Sequence, residues 1–475
     1  LFKDMVCYQE EVRDPSRMAE VLNRVIEKAF RGSAPAQINV PRDFWTQVID
    51  IELPPIVRFE RQGGGKDAVD RAAKLLSEAK FPVILSGAGV VIGDAIDDCK
   101  KLAEKLDAPV CNGYQHNDSF PGSHPLAVGP LGYNGSKAAM ELISKADVVL
   151  ALGTRLNPFS TLPGYGIDYW PKDATIIQVD MNPDRIGLTK KVTVGICGDA
   201  KMVAQQILEK LSSNAGDNGR EDRKNLIHQT KSAWLQTLTS LDHEDDDPGT
   251  VWNKEARERD KDRMSPRQAW RAIQAGMPED VIISSDIGNN CAIGNAYPTF
   301  EKPRKYLAPG LFGPCGYGFP SILGAKIGCP DTPVIGFAGD GAFGISMNEM
   351  SSCAREEWPA ITMVIFRNYQ WGAEKRNSIL WFDDNFVGTE LDPELSYAKV
   401  ANACGLKGVI ANTMEETTKA IKQSCEDQKK GITTFIEIIL NQELGEPFRR
   451  DAMKKPVKVA GISKSDMKPQ KSLVS

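Results

Sequence analysis

The sequence lacks several features that would place a 475-residue chain in a class at once. No apolar run approaches the ~18 residues of a transmembrane helix, so we predict no membrane span. The four histidines and ten cysteines contain no C-x-x-C pair and no zinc-like spacing, which argues against a zinc site or a dithiol redox motif. A formal net charge of −5 gives no overall attraction to nucleic acid or to an anionic membrane.

The composition that remains is that of a large globular protein. With 41% hydrophobic and 25% charged residues, the chain can bury several cores, and its length favours about three domains. Cysteines scattered through so long a chain indicate reduced thiols, so we expect a cytoplasmic location. The chain begins with Leu1, and its first residues read like the middle of a domain, so we expect an N-terminally truncated fragment.

The most informative stretch is the segment 333–376, which reads as strand, tight loop, helix, strand and loop. An apolar run of strand length, 334–338, stops at Gly339, Asp340 and Gly341. The two glycines allow the backbone to turn sharply and to approach a ligand closely. We therefore predict that Asp340 lies at the carboxyl end of a strand.

A second strand brings an amide to the same place. A helical pattern over 343–357 and an apolar run over 361–366 lead to Asn368. Because ligands bind outside the carboxyl ends of parallel strands, we expect Asp340 and Asn368 to converge on one ion. Mg²⁺ takes about six oxygen ligands and usually keeps phosphate oxygens among them. The spacing of the two residues favours this site over a simple turn.

This pattern resembles the signature of thiamine-diphosphate enzymes, in which Gly-Asp-Gly is followed at this interval by Asn-Asn. One residue departs from it, because Arg367 stands where the first Asn is usual. The resemblance implies that Asp340, Asn368 and the backbone carbonyl of Gln370 bind Mg²⁺. The cofactor contacts that it implies in this stretch are Gly339, Asp340, Gly341, Ala342, Asn368 and Gln370.

Two further loops resemble diphosphate-binding segments of the same family. The loop after the predicted strand 281–285 matches the family's D-V-G-Q-H segment, which implies contacts from Ile287, Gly288, Asn289 and Asn290. On the residues alone, Asn-Asn in a loop is ordinary turn chemistry. The loop 308–320 resembles G-x-M-G-x-G-x-P, with Gly313 and Cys315 as contacts. Cys315 takes the position of the Met that props the cofactor in its bent shape, and an ordinary buried cysteine is the alternative.

Three cations and one histidine are candidates for the chemistry itself. Lys375 and Arg376 precede the aromatic residues Trp381 and Phe382, in a segment that closes over the active site in the family. We predict that Arg367, Lys375 and Arg376 bind substrate anions, although cation-rich loops are usually surface. His116 is a candidate donor to the substrate carbonyl or proton shuttle, with a structural histidine as the alternative.

The order of predicted elements is that of an α/β protein, with consecutive parallel-sheet domains that carry helices on both faces, as in the thiamine-diphosphate-binding fold. The expected units are a remnant of a pyrimidine-binding domain (1–50), a linker (51–65), a central Rossmann-like domain (66–212), a charged linker region (213–263), a diphosphate- and magnesium-binding domain (264–445) and a basic tail (446–475). We expect the acidic run 242–247 to be solvated surface and not a metal tract.

The central domain carries a weak dinucleotide motif. Gly87 and Gly89 follow a predicted strand, but Gly93 comes one residue too late for G-x-G-x-x-G, and no ribose-binding acid supports the motif. Central domains of the family bind FAD in some members only. Arg155 falls where flavin-containing members also carry an Arg, yet we do not expect FAD.

Long stretches resemble one group within the acetolactate-synthase-like family, the sulfoacetaldehyde acetyltransferases. They include FGPCGYGFP and FRNYQWGAEKRNSILWFDDNFVGTEL. The resemblance implies conversion of sulfoacetaldehyde and phosphate to acetyl phosphate and sulfite, through a thiamine-diphosphate carbanion and acetyl-thiamine diphosphate, in taurine or sulfonate breakdown. It also implies a homodimer or homotetramer, and a proton-relay glutamate that lies before this chain begins.

Two other functions stay open from the sequence. An acetolactate-synthase-like carboligase or decarboxylase, acting on pyruvate or another 2-oxo acid, would use the same cofactor scaffold. Three features argue against it, namely Arg367, Cys315 and the charged GAEKRN segment, where that group carries apolar residues. A non-catalytic fragment or assembly module is favoured only by the missing start.

Overall fold

The computed structural model describes residues 2–53, 55, 60–240, 259–310, 312–355, 357–381 and 385–443. The strands are β1 (Tyr8–Glu11), β2 (Ala36–Asn39), β3 (Pro82–Ser86), β4 (Val110–Asn112), β5 (Ala127–Pro130), β6 (Val148–Leu152), β7 (Thr175–Asp180), β8 (Val194–Cys197), β9 (Ile282–Ser285), β10 (Tyr306–Leu307), β11 (Val334–Gly339), β12 (Thr362–Arg367), β13 (Lys407–Ala411) and β14 (Thr434–Ile439). The α-helices are α1 (Met18–Gly32), α2 (Lys66–Glu78), α3 (Ala88–Ile92), α4 (Ile96–Leu106), α5 (Lys137–Ile143), α6 (Ala200–Lys210), α7 (Arg220–Ser240), α8 (Pro266–Gly276), α9 (Asn289–Ile293), α10 (Gly318–Gly328), α11 (Asp340–Ser346), α12 (Met350–Cys353), α13 (Gly372–Trp381), α14 (Tyr397–Ala403) and α15 (Met414–Gln428).

Two six-stranded parallel sheets organise the chain, and the predicted α/β class is confirmed. The central sheet has the order β5-β4-β3-β6-β7-β8, and the C-terminal sheet has the order β10-β9-β11-β12-β14-β13. Every residue of β6 and of β12 is buried, as expected for parallel strands covered on both faces. A separate two-stranded sheet, β1-β2, packs with α1 around Val12, Val21 and Val25.

Both faces of the C-terminal sheet carry aromatic cores. On one face the ring of Trp270 lies 4.8 Å from the ring of Phe337 and 5.3 Å from that of Phe366. On the other face the ring of Phe319 lies 5.5 Å from the ring of Phe343 and 5.5 Å from that of Phe435. These two aromatic layers pack against the faces of the sheet that contains β9, β11 and β12. The carboxyl ends of these three strands form the candidate site.

The predicted helix over 343–357 is wrong in its start and its continuity. Helix α11 begins earlier, at Asp340, so this residue opens a helix and does not lie in a loop. A 3-10 turn over 347–349 then separates α11 from α12. Side-chain hydrogen bonds from Ser351 to the carbonyl of Asn348 and from Ser352 to Glu349 compete with a continuous helix here.

The glycines of the weak dinucleotide motif have a packing role. A Cβ on Gly89 would lie 2.6 Å from the Cα of Gly153, and one on Gly87 would lie 2.6 Å from the carbonyl oxygen of Gly153. The start of α3 therefore packs directly on the backbone that follows β6, and only glycine allows that approach.

Hydrogen bonds join the two large sheets along one interface, which we call the seam. It consists of residues 112–119 and 131–136 from the central sheet, with 295–306 and Arg376 from the C-terminal part. The amide of Asn117 donates to the carbonyls of Asn295 and Pro298, both at 2.9 Å. Asp118 Oδ2 accepts the backbone N–H of Lys305 at 2.9 Å.

Some predictions fall outside the described residues, namely the acidic run 242–247, Phe382 and the basic tail 446–475. The helix predicted around 227–238 lies within α7. Among the helices that the structure describes, none combines the length and apolar character needed to span a bilayer.

Candidate active site

Three adjacent strands bring polar residues to one edge of the C-terminal sheet. Strand β11 pairs with β9 on one side and with β12 on the other, all parallel. Asp286 follows β9, Asp340 follows β11 and Asn368 follows β12. The structure thus brings Asp340 and Asn368 to the same sheet edge, with Asp286 beside them.

Asp340 is the buried acid of this edge, with a relative exposure of 1%. Its Oδ2 accepts the backbone N–H of Tyr369 at 2.7 Å and Nη1 of Arg367 at 3.1 Å. Its Oδ1 accepts only the N–H of Gly341, at 2.9 Å, among the described residues. Burial raises the pKa of Asp340 to about 6, and the Arg367 charge opposes that shift. Oδ1 therefore keeps a lone pair available for a cation.

Two buried amide side chains follow β12. The side chain of Asn368 is 2% exposed. Gln370 donates from Nε2 to the carbonyl of Gln442 at 3.1 Å, while its buried Oε1 has no partner in the described part of the chain. Between them Tyr369 has φ of 61°, a left-handed conformation that is rare for a bulky residue and concentrated at functional sites.

Arg367 belongs to a buried ion network. Its side chain is fully buried, with Nη1 bound to Asp340 and Nη2 donating to the carbonyl of Leu395 at 2.9 Å. Its guanidinium lies 4.2 Å from the ring centre of Tyr369, and its Nε lies 3.6 Å from Glu437 Oε1. The predicted contact with a substrate anion would therefore require Arg367 to leave these partners.

Asp286 connects two of the predicted cofactor loops. Its Oδ1 accepts the N–H of Ile287 at 2.7 Å and that of Gly316 at 3.1 Å, and its Oδ2 accepts that of Gly318 at 2.7 Å. Burial raises the pKa of Asp286, while these N–H donors oppose the shift. One carboxylate thus fixes the loop after β9 against the loop that leads into α10.

The predicted diphosphate loops leave space and unpaired atoms. Ideal Cβ positions at Gly288 and Gly339 meet no atom within 4 Å, and Gly288 has φ of 131°. Asn289 is 5% exposed, and neither its Oδ1 nor its Nδ2 has a partner among the described residues. Asn290 Oδ1 is likewise buried and unpaired there.

The remaining predicted cofactor residues differ in exposure. Gly313 has φ of 60° and lies beside the side chain of Ile287. Cys315 is exposed, so it is not the ordinary buried cysteine of the alternative interpretation. Ala342 is 4% exposed, in α11, and Gly341 lies against the ring of Trp371.

Helix α13 carries the two predicted cations in different environments. Lys375 forms an ion pair with Glu390, and its Nζ lies 3.4 Å from Gln442 Oε1. Arg376 is 7% exposed and donates from Nη1 to the hydroxyl of Tyr133 at 3.1 Å, across the seam. Arg376 thus joins the C-terminal part to the central sheet.

Comparisons with known proteins extend over the whole chain. Two protein-family models match the chain. The model "Thiamine pyrophosphate enzyme, central domain" matches residues 69–207, and the model "Thiamine pyrophosphate enzyme, C-terminal TPP binding domain" matches residues 286–438. The chain is 78% identical over 473 residues to "Probable sulfoacetaldehyde acetyltransferase" from Rhizobium meliloti, covering 100% of this chain and 80% of that protein. It is 75% identical over 469 residues to "Sulfoacetaldehyde acetyltransferase" from Roseovarius nubinhibens, covering 99% and 78%.

The chain belongs to the sulfoacetaldehyde acetyltransferase family. Its fold also matches a crystal structure of benzoylformate decarboxylase from Polynucleobacter necessarius, with a TM-score of 0.72 and 20% identity, over 93% of this chain and 77% of that one. At this identity the likeness concerns the fold alone. The predicted resemblance to thiamine-diphosphate enzymes is confirmed.

His116 belongs to the central sheet and not to the C-terminal sheet that carries Asp340. It follows β4 in the central sheet and forms part of the seam. Burial, helped by the charge of Arg155, lowers the pKa of His116 to about 4, so the ring is neutral at pH 7. No hydrogen bond in the described part of the chain joins its ring to the Asp340 edge.

Two residues of the site were not predicted from the sequence. They are Asp286, which joins the loop after β9 to the loop before α10, and Glu437, which is a partner of Arg367. Asp286 had a visible signal, because an acid directly after a strand and before a glycine is placed like Asp340. Glu437 had none, since its position depends on β14 pairing beside β12.

Proposed function

We propose that the protein containing this chain transfers an acetyl group derived from sulfoacetaldehyde to phosphate, and that it releases sulfite and acetyl phosphate. The reaction is redox-neutral overall, because the aldehyde carbon is oxidised while the neighbouring carbon loses its sulfonate and becomes a methyl group. The observation that carries the proposal is the edge formed by Asp286, Asp340 and Asn368, in a chain 78% identical to a relative named for this activity.

The residues at this edge fit Mg²⁺ and a diphosphate. Asp340 Oδ1, the Asn368 amide oxygen and the Gln370 carbonyl would supply the protein ligands, all of which are hard oxygen donors. Unpaired buried atoms of Asn289 and Asn290 and the open space beside Gly288 and Gly339 suit a polar group. Bound thiamine diphosphate would supply a nucleophilic carbon and an electron sink for the cleavage of the carbon–sulfur bond.

The chain's own contribution is positioning and electrostatics. Asp286 would hold Ile287 and the glycine-rich loop, with Gly313 and Cys315, at a fixed separation. Arg367 would keep the Asp340 carboxylate ionised and oriented, which makes it a positioning residue in this proposal. His116, which is neutral, is proposed as a donor or acceptor at the seam and not as a charged acid.

The anionic substrates require positive charge near the reacting atoms. We propose that Arg376 supplies it from within the seam and that Lys375, which is paired with Glu390, adds to it from the same helix. Changing Arg376 to Lys keeps the positive charge but removes the planar guanidinium, which can donate two parallel hydrogen bonds to an anion. The KM for sulfoacetaldehyde or for phosphate should therefore rise by a larger factor than kcat falls. Equal kinetics for wild type and Arg376→Lys would contradict this role.

The test is an assay of sulfite and acetyl phosphate with the protein expressed from its complete coding sequence. Sulfoacetaldehyde, phosphate, Mg²⁺ and thiamine diphosphate are supplied and omitted in turn, with pyruvate as a parallel substrate. Phosphate-dependent sulfite release supports the transferase. Carbon dioxide from pyruvate without sulfite would identify a carboligase or decarboxylase, and no turnover at all would favour an assembly role.

The proposal also covers the metabolic role, the oligomeric state and the cellular location of the protein. We propose a role in taurine or sulfonate breakdown, a homodimer or homotetramer, and a cytoplasmic location without nucleic-acid or membrane partners. All ten cysteines are free thiols, which suits a reducing compartment. Light scattering after gel filtration would measure the oligomeric state.

A further inference from the structure

Unpaired polar atoms concentrate at the seam. Gln115 Oε1, Asn117 Oδ1, Asn134 Nδ2 and Asn295 Oδ1 are buried and lack a hydrogen-bond partner among the described residues. Buried polar groups in native proteins are almost always paired. Several unpaired amides in one interface therefore indicate a polar ligand that completes it.

Two of these amides also have unusual backbones. Gln115 has φ of 61° and Asn134 has φ of 49°, and both residues are more than nine-tenths buried. A left-handed conformation is uncommon for residues other than glycine, and it is concentrated at binding sites. The two residues lie next to His116 and Tyr133, so both segments of the central sheet that form the seam, 112–119 and 131–136, carry the same feature.

The hydrogen bonds of the seam hold these residues in one connected set. The amide of Asn117 donates to the carbonyl of Asn295 at 2.9 Å, and the amide of Asn295 donates to the carbonyl of Tyr133 at 3.1 Å. Gln115 and Asn134 are within two residues of these anchors.

Positive charge reaches the same place. The Arg376 guanidinium bonds the Tyr133 hydroxyl at 3.1 Å, and the side chain is 7% exposed. The charge of Arg155, an exposed residue outside the seam, also acts on His116. The seam therefore combines one buried arginine with amide and hydroxyl groups, and guanidinium, amide N–H and hydroxyl groups can all donate to an oxyanion.

The seam is also close to the candidate cofactor loops. Helix α13 begins at Gly372, where an ideal Cβ would lie 3.0 Å from Asn289 Nδ2. Arg376 comes four residues later, about 6 Å along the helix axis. A ligand bound by Arg376 would thus lie about one helical turn from the loop after β9.

We propose that the seam binds a tetrahedral oxyanion of a substrate, with Asn134, Tyr133 and Arg376 as donors and Gln115 as an acceptor. The anion is either the phosphate or the sulfonate group of the aldehyde, and the inference rests on the proposed function. Hydrogen phosphate carries a hydroxyl that can donate a hydrogen bond to Gln115 Oε1. A sulfonate has only acceptor oxygens and cannot donate to it.

The test uses variants that keep the backbone conformation. Asn134→Gly and Gln115→Gly remove the amides but tolerate a positive φ. Asp94→Gly is the matched control, because Asp94 has φ of 55° on the exposed surface of the same sheet. A second pair, Tyr133→Phe with Tyr169→Phe as control, removes one buried hydroxyl at the seam or away from it.

Calorimetric titration of the complete protein, loaded with Mg²⁺ and thiamine diphosphate, measures the binding of inorganic phosphate and of ethanesulfonate. We expect the seam variants to lose about tenfold or more in affinity for one anion, with a matching rise in the KM of that substrate, and the controls to match wild type. The anion whose affinity falls is the one bound there.

Unchanged affinity for both anions in Asn134→Gly and Tyr133→Phe would overturn the proposal, as would wild-type protein that binds neither anion. Because binding is measured without turnover, failure of the proposed reaction is visible separately as absence of sulfite release.

Discussion

Asp340 is the residue on which the candidate metal site depends. Its Oδ1 accepts one hydrogen bond among the described residues, from the N–H of Gly341, and Asn368 follows the neighbouring strand β12. We expect Asp340→Asn to weaken Mg²⁺-dependent binding of thiamine diphosphate by at least about 100-fold, since even outer-shell changes cost 10- to 100-fold. Calorimetry measures this directly.

The control for that experiment is Asp331→Asn. Asp331 is an exposed acid that precedes β11, at the opposite end of the same strand. Both substitutions remove one negative charge, so a general charge effect would appear in both variants. Equal cofactor affinity for the two variants would show that Asp340 is not a metal ligand.

His116 gives the protein a predictable pH dependence of stability. Its folded-state pKa of about 4 lies below the ordinary value of 6.5, because burial disfavours the charged ring. The unfolded chain therefore binds a proton first, and stability falls as pH falls from about 6.5 to about 4, by at most about 3 kcal/mol.

The measurement is the apparent Tm at pH 7.5 and pH 5. We expect wild type to lose more Tm on acidification than His116→Gln does. His228→Gln is the control, because His228 is exposed on α7 and should leave the wild-type loss intact. Identical losses for wild type and His116→Gln would mean that the pKa of His116 is the same in the folded and unfolded protein, against the prediction.

At the scale of elements, Arg223 attaches α7 to the central sheet. Its side chain is 1% exposed and donates to five backbone carbonyls, those of Lys80, Leu106, Asp107, Gly216 and Asn218. Two of these carbonyls lie at the end of α4, where helix carbonyls lack partners. The guanidinium of Arg223 therefore satisfies carbonyls at the end of α4 and anchors α7 to the central sheet.

We expect Arg223→Lys to destabilise the protein by roughly 2–4 kcal/mol, because an ammonium with three donors cannot reach five carbonyls. Arg220→Lys, a change in the same helix at a partly exposed ion pair, should cost less than about 1 kcal/mol. Thermal denaturation compares them. Similar Tm values would show that water replaces the lost contacts of Arg223.

The loop after β9 and the loop before α10 depend on Asp286 in the same manner. Asp286→Ala leaves the partly buried N–H of Ile287 and the buried N–H of Gly318 without their acceptor. We expect the Kd for thiamine diphosphate to rise about tenfold or more, since each unpaired N–H costs about 1–3 kcal/mol. Asp280→Ala, at the exposed opposite end of β9, should bind the cofactor like wild type. A wild-type Kd for thiamine diphosphate in Asp286→Ala would mean that the two loops keep their positions without the Asp286 carboxylate.

The elements that were predictable from sequence are those with strong local signals. Strands β11 and β12 are long apolar runs, and Gly339 and Gly341 mark the turn between strand and helix. Strands β5 and β8 were not predicted, because each has only four residues and contains glycine, so its apolar pattern is short. The burial of Arg367 was not predictable, since it depends on Glu437 arriving from a strand that becomes its neighbour only in the folded sheet.

At the scale of the whole molecule, the seam decides whether the two large sheets behave as one unit. Asp118 is 2% exposed, and its Oδ2 accepts the N–H groups of Lys305 and Tyr306, where edge strand β10 begins. Ser123 forms a second link to Glu301, but in an exposed position. The buried link should dominate, because water competes at the exposed one.

We therefore expect Asp118→Ala to uncouple the sheets. Calorimetric unfolding should change from one transition to two, and backbone amides of 305–307 should exchange hydrogen faster. Ser123→Ala should retain the wild-type profile within about 1 kcal/mol. If both variants unfold like wild type, the amides of Asn117 and Asn295 hold the seam by themselves. If both variants separate the transitions, the exposed rim contributes as much as the buried carboxylate, and the seam is a weak joint along its whole length.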